Sequence, residues 1–333
     1  MQLMQPSVLP ALLHWANLPM KITILDGNAL NPGDLSWKPL EQFGEVTVYD
    51  RTKDEEVVSR IADSDAILLN KINITEEILS KCPNLKYIGV QATGYNVIDL
   101  DACRKHGITV TNVPSYSTAG VAQLVFAFIL EFASQPALHS ESVMNGDWTR
   151  CSNFCYWKNP LIELEGKTLG IFGYGSIGSR VAHIAESFGM KVIASTRTPK
   201  KEISNPVDVE TLFRESDFLT LHAPLTDKTK FIVNKETISL MKKSAYIINT
   251  ARGLLVNEAD VRSALDKGSI AGYACDVVSE EPMKETNPLL GARNCIITPH
   301  NAWAAVETRQ RLLDIVIENL KCYSKGKPQN VVS

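Results

Sequence analysis

Residues 170–178, GIFGYGSIG, constrain this chain more than any other stretch. An apolar run enters a turn in which Gly173, Gly175 and Gly178 hold the spacing Gly-x-Gly-x-x-Gly. An amphipathic run follows and closes at Gly189, and MKVIAST (190–196) restores a strand pattern. Strand, glycine turn, helix and second strand make a parallel βαβ unit, because parallel strands need a crossover between them. Each glycine has its reason there. The first permits the tight turn, the second lets a ligand approach the backbone, and the third lets helix pack on strand. A helix opening at Ser176 and Ile177 presents unpaired N–H groups and a positive dipole end, which suits the pyrophosphate of a dinucleotide.

The alternation runs through the chain. Strand patterns lie at 21–27, 46–50, 66–71, 85–90 and 108–113, and restart at 167–173, 190–196, 218–224, 245–251, 270–278 and 295–300. Helical patterns separate them, among them 54–64, 100–107 and a long apolar run from Ser117 to Phe132. The fold class is α/β: two Rossmann/flavodoxin-like parallel-sheet domains with a cleft between them. The last helix, Ala304–Tyr323, has no strand after it and is expected to return to the first unit. The dinucleotide-binding domain, 118–301, is therefore inserted in a substrate domain made of 20–117 and 302–333. Within the dinucleotide-binding domain 137–164 is poorly periodic and is read as a loop. Its aromatics, Trp148, Phe154, Tyr156 and Trp157, serve either a subunit contact or packing on their own domain.

Composition narrows the function classes. A net charge of −3 gives no electrostatic reason to expect nucleic acid or an anionic membrane. No apolar run is long enough to span a bilayer. The seven cysteines are odd in number and scattered, with no Cys-x-x-Cys pair and no histidine at zinc spacing, so no metal site is expected. Reduced thiols fit a cytoplasmic setting. Residues 1–19 lack the charged start of a signal peptide and are read as a flexible extension, with Met20 as a possible working start.

The ribose contact of a dinucleotide is expected at the end of the second strand. An acid there would accept from the 2′-hydroxyl and repel a 2′-phosphate. Here the positions are Ser195, Thr196, Arg197 and Thr198. Arginine forks onto phosphate and hydroxyls donate to it, which favours NADP(H) and leaves NAD(H) as the alternative.

Three later segments end in polar residues: INTARG at Arg252, ACDVVSEEP at Asp276 and Glu281, and ITPHNAW at His300. All are expected at one sheet edge, beside a nicotinamide. Reducing a 2-oxo acid needs a cation for the carboxylate and an acid to protonate the oxygen. Arg252 and His300 supply these, and Glu281 beside the imidazole would favour its protonated form.

With GYGSIG, HAPLT, INTARGLLVNE, ACDVVSEEP and ITPHNAW in this order, the chain resembles the D-isomer-specific 2-hydroxyacid dehydrogenase family from about Lys21 to Leu320. LDGNALNPGDLSW, YIGVQATGYNVID, FCYWKNPLIEL and PHNAWA bring it nearest to the glycerate dehydrogenase (hydroxypyruvate reductase) branch. The resemblance implies a substrate-binding Arg252, an acid/base His300 paired to Glu281, and substrate-carboxylate amides at Thr93 and Gly94. It implies pyrophosphate contacts at Ser176 and Ile177, cofactor-lining positions at Thr93, Ala223, Thr250 and Ala251, and Asp276 near the nicotinamide carboxamide. It implies a homodimer and a small 2-oxo or 2-hydroxy acid substrate, such as hydroxypyruvate or glyoxylate reduced to D-glycerate or glycolate. The alternatives are NAD-linked oxidation of another 2-hydroxy acid and a non-catalytic dinucleotide sensor. A sensor needs none of Arg252, Glu281 and His300. Asn301 stands where the family more often has an apolar residue.

Overall fold

The computed structural model describes residues 19–198 and 200–333. The reading of residues 1–18 as a flexible extension lies outside them. The chain forms two compact units, one from residues up to Ser117 with Ala304–Ser333, the other from Thr118–Trp303.

The first unit holds five parallel strands, β1 (Met20–Ile24), β2 (Gly44–Val48), β3 (Ala66–Leu69), β4 (Tyr87–Val90) and β5 (Thr109–Thr111), in the order β2-β1-β3-β4-β5. β3 and β4 are buried along their whole length, the mark of a parallel sheet covered on both faces. The pattern at 54–64 splits into a 3₁₀ turn, Asp54–Glu56, and a helix, Val57–Ile61. The Glu56 carboxylate reaches back to accept from the Lys53 N–H at 3.0 Å, closing the turn before the helix begins. The last helix, Val306–Ser324, belongs to this unit for stated reasons. Arg309, nearly buried, donates to both Asp34 oxygens at 2.7 and 2.6 Å and to the Leu30 carbonyl at 3.0 Å. Asn319 donates to the Asn112 carbonyl at 2.9 Å.

The second unit holds six parallel strands: β6 (Thr168–Phe172), β7 (Lys191–Ser195), β8 (Phe218–Leu221), β9 (Tyr246–Asn249), β10 (Gly272–Cys275) and β11 (Cys295–Ile297). Their order is β11-β10-β9-β8-β6-β7. The apolar helix Thr118–Ser134 packs on one face, burying Val125, Phe126, Phe128, Ile129 and Phe132 beside Val181 and Ala185 of Ser176–Ser187. Each such side chain contributes about 1.5–3 kcal/mol on burial. Helices Val209–Glu215 and Glu258–Asp266 cover the other face. Among the described residues no single helix is long and apolar enough to cross a membrane. All seven cysteines are free thiols, Cys151 and Cys155 included.

The segment 137–164 differs from expectation, because Pro136–Met144 is a helix. Of its residues only Ser142 is buried, so it carries no apolar stripe for a 3.6-residue period to reveal. The loop after it is organised around Asp147, which accepts from Ser142, Arg150 and Lys158 at 2.5, 3.0 and 2.7 Å. Phe154 and Trp157 stand 92% and 65% exposed.

Candidate active site

The register of the second sheet aligns the ends of its six strands. Phe172 pairs with Ser195 and Leu221, Leu221 with Asn249, Asn249 with Cys275, and Cys275 with Ile297. One residue further on, Thr196, Gly173, His222, Thr250, Asp276 and Thr298 therefore form a row along the carboxyl edge. Backbone bonds carry the ladder into it, from Gly173 N–H to the Ser195 carbonyl and from His222 N–H to the Phe172 carbonyl, both 2.8 Å. Ligands of open parallel sheets bind at this edge.

The glycine turn fits a dinucleotide phosphate. Gly173 has φ +96°, and a Cβ there would sit 2.5 Å from the Ala223 nitrogen. A Cβ on Gly178 would collide with the Gly173 carbonyl, so helix and turn touch backbone to backbone. A Cβ on Gly175 would meet nothing within 4 Å. That open space lies at the N-terminus of Ser176–Ser187, which no side chain caps, leaving the N–H groups of Ser176 and Ile177 for an anion. At the end of β7, Ser195 is buried and Thr196 half-buried, while Arg197 and Thr198 are exposed.

Arg252, Glu281 and His300 follow β9, β10 and β11, three neighbouring strands. His300 Nδ1 and Glu281 Oε2 are 2.6 Å apart, with about a third of each side chain exposed. The second carboxylate oxygen accepts from the Val278 N–H at 3.2 Å. With Nδ1 bonded to a carboxylate, Nε2 is the nitrogen left for a substrate.

Asp276, expected near the carboxamide, stands one residue past β10. It is 1% exposed. One oxygen accepts from Thr298 Oγ1 at 2.6 Å and the Asn301 N–H at 2.8 Å, the other from the Ala302 N–H at 2.9 Å. These bonds clamp the turn that carries His300, whose φ of +52° is a left-handed value that costs energy in a residue with a Cβ. Asn301 contributes its backbone N–H to this clamp.

Arg252 is exposed and donates from Nη1 to the Ala251 carbonyl at 2.7 Å. Two residues that sequence reasoning missed hold its turn and the loop that leads to Glu281. Buried Asn249 donates to the Arg252 carbonyl at 2.9 Å and accepts from the Ala251 N–H at 3.1 Å. Buried Glu258 accepts from Ser279 N–H and Oγ at 2.7 Å each and from Asn287 at 2.9 Å, fixing the loop that leads to Glu281. A Cβ on Gly253 would collide with the Val278 carbonyl group, so the two loops meet through that glycine. Also missed was His222, although it sits inside the HAPLT motif. Thr93 and Gly94 belong to the first unit, in the loop after β4, where Thr93 Oγ1 donates to the Val113 carbonyl at 2.8 Å.

The D-isomer specific 2-hydroxyacid dehydrogenase, NAD binding domain family model matches residues 126–302. A hydroxypyruvate reductase of Blautia hydrogenotrophica is 48% identical over 94% of this chain and all of its own length. A glycerate dehydrogenase of Methylorubrum extorquens is 39% identical over 94% of this chain and 98% of its own. Among solved structures, an acyclic imino acid reductase in complex with NADPH and D-Arg is 33% identical. It superposes with a TM-score of 0.82, covering 94% of this chain and all of that one. A glycine turn shaped for a dinucleotide, a histidine–carboxylate pair on the same sheet edge and these relatives agree, and the chain belongs to the D-isomer specific 2-hydroxyacid dehydrogenase family of oxidoreductases.

Proposed function

We propose that the protein is an NADP(H)-dependent reductase of a small 2-oxo acid, hydroxypyruvate or glyoxylate, yielding the D-2-hydroxy acid. The observation that carries the proposal is the 2.6 Å His300–Glu281 pair one strand away from the turn of Arg252. When bound, the nicotinamide supplies the hydride. Arg252 binds the substrate carboxylate and polarises the oxo group. His300 delivers a proton from Nε2 to the oxygen, and Glu281 holds the ring through Nδ1 and balances its charge. The cofactor assignment rests on Thr196, Arg197 and Thr198 at the end of β7, where an NAD-preferring enzyme would place an acid. The NADPH-bound relative structure supports it, and the names of the two sequence relatives support the substrate class. We further infer a homodimer joined through the exposed rings of Phe154 and Trp157.

Initial rates of hydroxypyruvate and glyoxylate reduction with NADPH and NADH test the proposal. NADPH should be preferred, and Arg197→Ala should raise its KM while leaving NADH rates unchanged. Equal use of NADH would assign NAD(H) instead. Turnover with neither acid would overturn the substrate class.

A further inference from the structure

The turn that carries His300 has a second fastening besides Asp276. Trp303 donates its indole Nε1–H to the His300 carbonyl at 3.0 Å. The His300 N–H is engaged as well, donating to the Thr298 carbonyl at 3.0 Å. With Nδ1 on Glu281 at 2.6 Å, the residue is held at its backbone and at its ring, and Nε2 is the atom left to work.

The indole bond matters because of which peptide group it meets. The carbonyl of His300 and the N–H of Asn301 belong to one rigid plane. Trp303 holds the carbonyl end of that plane, and the Asp276 carboxylate holds the N–H end at 2.8 Å. A plane fixed at both ends cannot swing about the backbone torsions on either side of it. His300 therefore keeps its φ of +52°, a conformation that costs energy in a residue with a Cβ, and its imidazole keeps one direction. Trp303 is only half-buried, so water could have served its N–H; burial of the indole does not force this bond. A wide ring with two side-chain torsions also holds its donor in place at little entropic cost.

We propose that Trp303 is a positioning residue for the proton transfer: its indole N–H, acting with the Asp276 carboxylate, locks the His300–Asn301 peptide plane and so aims Nε2. The proposal rests on the reading of His300 as the acid/base. Trp303 acts through the imidazole, so its loss should slow the chemical step and spare both the acid's binding at Arg252 and the dinucleotide's at the glycine turn.

The test is hydroxypyruvate reduction with the better of NADPH and NADH, in steady state and in single turnover. Trp303→Phe keeps an aromatic ring and removes the donor. Its kcat should fall about three- to tenfold, the worth of one hydrogen bond, with KM for the acid and Kd for the dinucleotide within about twofold of wild type. Trp303→His, whose Nε2 can overlay the indole nitrogen, should recover part of the loss, which a ring that only fills space would not. In a His300→Ala background Trp303→Phe should cost nothing further, because residues that act as a unit are not additive. A further several-fold loss in that background would overturn the proposal. So would wild-type kcat in Trp303→Phe, or a raised KM with kcat unchanged, which would place the indole against the substrate instead. Trp303→Leu answers the same questions if Trp303→Phe does not fold. Wild-type turnover in His300→Ala would remove the acid/base reading itself, and the proposal with it.

Discussion

Asp276→Asn separates a residue that touches the cofactor from one that holds the His300 turn. The carboxylate accepts three hydrogen bonds, from Thr298 Oγ1, Asn301 N–H and Ala302 N–H, at 2.6–2.9 Å. An asparagine places its NH₂ where one oxygen stood, and in either orientation that donor faces a backbone N–H. One bond to a buried charge is lost, at about 1.5–3 kcal/mol, and one N–H is left unpaired, at about 1–3 kcal/mol. The turn then has less to hold His300 at φ +52°. With about 3 kcal/mol of this felt at the turn, kcat/KM should fall roughly 100-fold. The Tm should fall too, at about 2–4 °C per kcal/mol for a unit of this size. Steady-state kinetics, a thermal melt and NADPH titration decide the matter. Weaker NADPH binding with an unchanged Tm would refute the clamp and return Asp276 to the carboxamide. A kcat/KM within threefold of wild type would refute both.

The two outer glycines of the phosphate turn should differ from the middle one. Gly175→Ala should keep the wild-type Tm, since its Cβ enters open space, yet lose dinucleotide affinity at least tenfold in a fluorescence titration. Gly178→Ala should lower the Tm by several degrees, because its Cβ collides with the Gly173 carbonyl. His222 gives stability a pH dependence: its pKa falls from 6.5 in the unfolded chain to about 3 in the folded one. The unfolded chain binds the extra proton between those values, so this stability is complete above about pH 6.5 and declines as the pH drops toward 3. The slope is about 1 kcal/mol per pH unit, reduced because the ring keeps some surface. Denaturant melts at pH 7 and pH 5 should show a smaller difference in His222→Leu, and an unchanged difference would count against the burial. Phe154→Glu should shift the protein toward monomer in sedimentation velocity, with its Tm at low concentration preserved.

Local chemistry made much of this protein legible before its structure. Periodicity in stretches such as KITILDG and AYIINTA carried the α/β class, because strands buried on both faces need continuous apolar runs. The glycine spacing carried the phosphate turn, and polar residues just past apolar runs placed Arg252, Glu281 and His300 at strand ends. The helix Pro136–Met144 escaped notice because it buries almost nothing, and an element without an apolar face leaves no period to read.

Tertiary structure decided what depends on neighbours distant in sequence. Sheet order and register line up Gly173, His222, Thr250 and Asp276, although they lie along more than a hundred residues of chain. That Asp276 serves the His300 turn, that Asn249 and Glu258 hold the loops of Arg252 and Glu281, and that the buried His222 Nε2 has no partner among the described residues are facts of pairing. The chain specifies which donors and acceptors exist. Which of them meet, and which are left unpaired, is set only when the strands close side by side and exclude the water that would otherwise satisfy them all.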